Sequence, residues 1–176
     1  MTMGRDEELD RMIRVDQAGE FGATRIYEGQ LAVMGSRGPQ SAEIRAMAAQ
    51  EEGHREKFDA LMARRGVRPT ALQPFWNVAG FALGAGTALL GPEAAMACTA
   101  AVETEIDKHY SDQLDRLAER GDDPELSAMI EEFREDEREH RDAAIAHGAE
   151  SAPAYPLLSG AIRLGCKIAI RLSERI

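Results

Sequence analysis

Six glutamate and histidine residues carry the chemistry that the spacing of this chain allows. Glu51-x-x-His54 and Glu137-x-x-His140 are two Glu-x-x-His steps, each preceded by a lone glutamate, Glu20 for the first and Glu103 for the second. The lone residue leads its partner glutamate by 31 positions in the first half of the chain and by 34 in the second. On a helix, residues three apart share a face at about 5–6 Å, so the Glu and His of one step reach the same cluster. One Glu plus one Glu-x-x-His from each half is the ligand inventory of a di-iron carboxylate site in a four-helix bundle. Glu51 and Glu137 are expected to bridge, with Glu20 and His54 on one iron and Glu103 and His140 on the other. Four carboxylates would offset the charge of two Fe(II) ions while both imidazoles stay neutral. So oxygen-rich a donor set suits iron or manganese better than zinc.

Helices must place these groups, and glycine and proline punctuation cuts the chain into six helical segments. The first runs from about Asp6 to Met34 and stops at Gly35-Ser36-Arg37-Gly38-Pro39. The second runs from Ser41 to Arg65, and the third is the apolar segment Leu72–Leu90, broken by Gly91-Pro92. The fourth begins near Pro92 or Glu93 and ends at Gly121. The fifth starts at Asp123-Pro124, an N-cap followed by proline at the first helical position, and ends at Gly148. The sixth spans Pro153–Ile176.

Helical phase separates ligands from ordinary surface acids. In the second segment Ile44, Met47, Glu51, His54, Phe58 and Leu61 recur at 3-4-3-4-3 spacing, and in the fifth Leu126, Ile130, Phe133, Glu137, His140 and Ala144 recur at the same helical period. Met96, Ala100, Glu103, Ile106, Tyr110 and Leu114 share a face of the fourth; Ile13, Glu20, Tyr27, Leu31 and Met34 share one of the first. All six candidates therefore lie inside apolar stripes, where a carboxylate needs compensation and a metal supplies it.

Composition bounds the rest. Apolar residues at 44% and aromatics at 5%, with Ala, Leu, Glu and Arg abundant, favour an all-α fold, and 176 residues suit a single domain over 1–176. A net charge of -10 argues against a nucleic-acid partner, which calls for a basic surface. Cys98 and Cys166 form no Cys-x-x-Cys step, so neither a zinc site nor a disulfide framework is expected, and a reducing compartment fits. The segment Met1–Arg11 is polar and acidic, unlike a signal or transit peptide.

Several residues outside the six merit a role. Tyr110 lies on the ligand face, two helical turns beyond Glu103, and with His109 is a candidate for lining a substrate pocket; core packing is the competing reading. His147, beside Gly148, reads as a helix cap. Gln50 and Asp136 precede the two Glu-x-x-His glutamates; Asp136 is expected to orient His54, and Gln50 more weakly His140, with a plain surface acid in the run Glu131–Glu139 as the competing reading for Asp136. From Val78 to Leu90 the segment is apolar for 13 residues, too short to span a bilayer, which takes about 20. Opened by Phe75-Trp76, it is expected to lie in a membrane surface rather than in a core. Arg163, Lys167, Arg171 and Arg175 recur every four residues as a basic stripe suited to an anionic membrane surface or a phosphate-bearing cofactor.

The residues Arg14-Val15-Asp16-Gln17-Ala18-Gly19-Glu20, Gln50-Glu51-x-x-His54, the run Pro74–Gly91, Ala97-Cys98-Thr99 and Leu172-Ser173-Glu174-Arg175 resemble demethoxyubiquinone hydroxylases. The likeness extends from Met12 to Ile176. It implies a ferritin-like four-helix bundle with two additional helices, one strongly apolar and membrane-facing, and two Fe ions per chain held by the six residues above. It implies a peripheral membrane enzyme hydroxylating the ring of demethoxyubiquinone or its quinol with O2, with NADH as ultimate reductant. Arginines near both ends, linked to reductant binding in the family, map to Arg11 and Arg175; Arg171 stands where the family has a tyrosine. The lack of a mitochondrial-type extension implies a bacterial member on the cytoplasmic face of the inner membrane. A lipid-binding accessory protein is a partner the family implies, and a homo-oligomer is compatible with it. The rival readings are a ferritin-like ferroxidase, a di-iron hydroxylase of another substrate, and a metal-free helical protein at a membrane.

Overall fold

The computed structural model describes residues 3–36, 38–121 and 123–176. Met1 and Thr2 of the acidic N-terminus, and Arg37 of the first break, lie outside the described residues. Among those described the chain is all-α, as the sequence predicts: α1 Met3–Met34, α2 Pro39–Arg65, α3 Gln73–Leu89, α4 Pro92–Arg120, α5 Pro124–Ala146, a 3-10 turn Ala149–Ser151, and α6 Tyr155–Ser173. The chain forms two compact units, Met1–Pro92 with Lys167–Ile176, and Glu93–Cys166.

The predicted punctuation places the helix ends. Gly35, Gly66 and Gly121 take left-handed φ values of 68°, 69° and 65° just past α1, α2 and α4, a conformation that costs glycine nothing. Asp123 caps α5, its side chain accepting from the Leu126 N–H at 3.0 Å, with Pro124 in the first turn. The largest departure follows α5. The helix stops at Ala146 rather than Gly148, the 3-10 turn intervenes, and α6 begins at Tyr155 rather than Pro153. Ala154 stands at φ 51°, where an alanine carries no sequence signal.

In the first unit, α1 and α3 meet backbone to backbone. A Cβ on Gly29 would collide with the Phe81 carbonyl oxygen, and one on Gly84 with that of Ile26. The buried face of α3 is Gly80, Gly84, Thr87 and Ala88. Its large side chains face outward, with Phe75 60%, Val78 67% and Leu89 74% exposed. The apolar segment is thus not a buried core helix: its small residues pack and its large ones meet solvent. Arg25 donates from Nε to the Asn77 carbonyl at 3.2 Å and lies 5.2 Å above the Phe81 ring. Trp76 Nε1 donates to Ser173 Oγ at 3.0 Å, tying the start of α3 to the end of α6. Gln17 on α1 donates to Asp59 on α2 at 2.9 Å, and Arg55 holds that carboxylate at 2.8 Å.

In the second unit, Arg163 on α6 donates from Nε to Glu105 on α4 at 2.6 Å, and Glu105 is 3% exposed. Arg163 therefore leaves the basic stripe that the sequence suggests; Lys167, Arg171 and Arg175 remain exposed. Both cysteines are free, as expected from their isolation. Burial first, then the charges of Glu105 and Cys98, push the Cys166 thiol up to about 12. At pH 8 its iodoacetamide labelling should then run at least about a hundredfold slower than that of a small free thiol, because only the thiolate attacks. Mass-spectrometric labelling of the folded chain checks this; rapid modification at Cys166 would refute it.

Candidate metal centre

Each unit presents one triad of two carboxylates and an imidazole. In the first, Glu20 sits midway along the 32-residue α1, with Glu51 and His54 near the middle of the 27-residue α2. In the second, Glu103 comes from α4, and Glu137 and His140 from α5. Helix interiors hold side chains more rigidly than loops do. The predicted apolar stripes of α2 and α5 are buried at every position, ligand candidates included. On α4 Ile106 and Leu114 are only half-buried, as are Leu31 and Met34 on α1, while Glu103 and Glu20 are buried.

All six residues are at most 4% exposed. His54 Nδ1 lies 3.5 Å from Glu20 Oε2 and 3.8 Å from Glu51 Oε2; His140 Nδ1 lies 3.5 Å from Glu137 Oε2. Those separations exceed a hydrogen bond. Within each triad, one donor atom from each residue falls within 4.8 Å of the others. Ligands about 2.1 Å from one octahedral ion stand about 3 Å apart when adjacent and about 4 Å apart when opposite, so the spacing fits a shared cation. Charge agrees as well as distance. Two buried carboxylates are costly by several kcal/mol each in a dry interior, and one divalent ion with a neutral imidazole balances them.

The remaining candidates divide. Tyr110 is buried and its ring lies 6.1 Å from that of His109. Gln113 Nε2 lies 2.9 Å from His109 Nε2, one helical turn away on α4, and the two buried side chains are hydrogen-bond partners. His147 occupies the C-cap of α5, its N–H bonding the Ala143 carbonyl at 2.9 Å, which is the capping place the sequence suggests. Asp136 is half-buried and Gln50 exposed. Arg11 is exposed and pairs with Glu7 one turn earlier, and Arg175 is exposed beyond α6.

Sequence reading missed the polar knot around Asp107. Arg134 Nε and Arg138 Nε donate to its Oδ1 at 3.0 and 2.9 Å, and Arg141 Nη1 to Oδ2 at 3.4 Å. The i, i+4, i+7 arginine spacing on α5 was the available signal. No helix among the described residues is long and apolar enough to cross a membrane.

An all-α chain with two buried carboxylate–histidine triads belongs to the class of helical proteins equipped to bind metal through carboxylates. Residues 7–173 match the family described as ubiquinone biosynthesis protein COQ7, and the chain belongs to that family. The 3-demethoxyubiquinol 3-hydroxylase of Rhodospirillum rubrum is 60% identical over 168 residues, spanning 96% of this chain and 78% of that protein. The mitochondrial NADPH-dependent 3-demethoxyubiquinone 3-hydroxylase of Bos taurus is 55% identical over 174 residues, 97% of this chain and 79% of the other. The mitochondrial 5-demethoxyubiquinone hydroxylase of Saccharomyces cerevisiae is 46% identical over 182 residues, with shares of 96% and 78%.

Proposed function

We propose that this chain is a di-iron monooxygenase that hydroxylates the ring of demethoxyubiquinone, or its quinol, with O2. Glu20, Glu51, His54, Glu103, Glu137 and His140 are the proposed ligands of two iron ions. Residues 1–176 would then act as one functional domain, with α1, α2, α4 and α5 as a ferritin-like four-helix arrangement. The observation that carries this reading is the pair of chemically equivalent triads, each buried and each charge-matched to one divalent ion. The relatives' names supply the substrate.

When bound, the iron pair would supply the electrons that O2 activation requires. The chain's own residues do the rest. The four carboxylates would hold the ions without net charge, and the apolar stripes around them would exclude water. Tyr110 and His109 are proposed to flank the ring-binding space, with Gln113 Nε2 at 2.9 Å from His109 Nε2 holding the imidazole in place. The outward apolar face of α3 would rest in a membrane surface, with Lys167, Arg171 and Arg175 toward anionic headgroups, and admit the isoprenoid tail. That face disfavours a ferroxidase, which would need no apolar entrance. Arg11 and Arg175 stay as proposed contacts for a reduced nicotinamide; the resemblance implies NADH, and the name of the Bos taurus relative specifies NADPH.

The test is anaerobic iron analysis of the loaded protein, followed by addition of ¹⁸O2, a short-tailed demethoxyquinone and either nicotinamide. Two irons per chain and one ¹⁸O in the hydroxylated ring are expected. Two irons with an unchanged ring would defeat the substrate assignment, and no iron would defeat the metal centre.

A further inference from the structure

We propose that Asp107 is a positioning residue: clamped by Arg134, Arg138 and Arg141, it fixes the axial register of α4 against α5 and so sets Glu103 against the Glu137–His140 step. The inference rests on the metal reading above and goes beyond it by assigning a task to residues outside the triads.

Position along each helix is the first support. Asp107 follows Glu103 by one turn on α4 and projects about 40° from it around the axis. On α5, Arg134 and Arg141 lie one turn before and one turn after Glu137, and Arg138 immediately follows it. The three arginines span about 10 Å of helix at 1.5 Å per residue, yet all converge on a single carboxylate. Sliding α4 by one residue would carry that carboxylate about 1.5 Å toward one end arginine and away from the other. The clamp therefore resists slip in both directions, which a single ion pair does not.

Packing sets this register unevenly along α4: Tyr110 and Leu117 are large, fully buried side chains in its C-terminal half, while its N-terminal half offers less. The buried positions of α4 from Ala94 to Ala101 are mostly alanine, so its ridges there are shallow. Register matters because donor atoms of Glu103, Glu137 and His140 lie within 4.8 Å of one another. A slip of 1.5 Å is a large part of that distance. The knot is also too well balanced to be an anion site: Glu135 lies 3.6 Å from Arg138 and Asp142 3.0 Å from Arg141, giving three acids for three arginines. Asp107 is 18% exposed by side chain, so solvent screens its pairs only in part.

The test is anaerobic Co(II) titration of the full chain, read by visible absorption and calorimetry, for the parent and for Asp107→Asn. The parent is expected to take two ions. The variant should bind one with parental affinity and the other on the order of tenfold more weakly, as when a supporting partner of a metal ligand is lost. Its metal-free melting temperature should fall by no more than about 5 °C, since part-exposed pairs contribute little to stability. Asp107→Glu should recover part of the second affinity. If Asp107→Asn does not fold, Arg138→Gln removes one arm of the clamp and should weaken the same ion alone. Parental affinity at both sites, or equal loss at both, would overturn the inference and leave the di-iron reading standing. A parent chain that binds no metal would overturn both.

Discussion

Replacing Glu51 with glutamine is expected to stabilise the metal-free chain and to destabilise the iron-loaded one. Glu20 and Glu51 are buried against the same imidazole, with His54 Nδ1 at 3.5 and 3.8 Å from their oxygens. Without a cation, two carboxylates in that space repel and are both desolvated. Removing one charge while keeping the side chain's shape should add about 1–3 kcal/mol to the stability of the metal-free fold. With iron the sign reverses. A ligand at a thousand times its Kd stabilises the parent by about 4 kcal/mol, and the variant forfeits much of that. Hydroxylation should fall on the order of a thousandfold, about 4 kcal/mol of barrier, because a chain that loses or misplaces one iron would no longer have the pair that O2 activation requires. Anaerobic melts with and without Fe(II), beside product assays, give all three quantities. A variant that melts like the parent under both conditions would show that Glu51 is an ordinary buried acid, and the metal centre would go with it.

The half-sites were legible because their signal is local and periodic. Glu51 and His54 share the phase of Ile44, Met47 and Phe58, and Glu137 and His140 share that of Ile130 and Phe133; the structure buries every one. Phase says which face turns inward without saying what lies opposite. The direction of α3 shows the limit. Its hydropathy suits a buried helix or a surface one, and what decides is that Gly80 and Gly84 let two backbones meet, which turns Phe75, Val78 and Leu89 outward. Arg163 illustrates the same point for charge. Four basic residues at four-residue steps read as one exposed stripe, yet the first of them reaches a buried Glu105 that lies 58 positions earlier in the chain. In the Asp107 knot the arginine spacing was legible but the partner was not: Asp107 is set by the offset between two helices, a quantity no single-helix pattern contains.

The glycines of α3 allow a sharp comparison within one helix. Gly84→Ala is expected to cost about 3 kcal/mol or more, and Gly86→Ala, two residues on, to gain roughly 0.5–1 kcal/mol. A Cβ at Gly84 would drive into the carbonyl group and Cα of Ile26, which are backbone atoms and have no rotamer by which to retreat. At Gly86 nothing lies within 4 Å, and alanine is simply the better helix former. Urea unfolding of both variants reads the difference directly. The consequence should extend to chemistry, because Ile26 follows Glu20 by less than two turns on α1. Pushing α3 away from α1 also pulls on Arg25, which bonds the Asn77 carbonyl and covers the Phe81 ring. Gly84→Ala should therefore lose iron from the triad that contains Glu20 while Gly86→Ala keeps it. Equal stability in the two variants would mean that the close approach of α1 and α3 is not what anchors the apolar helix.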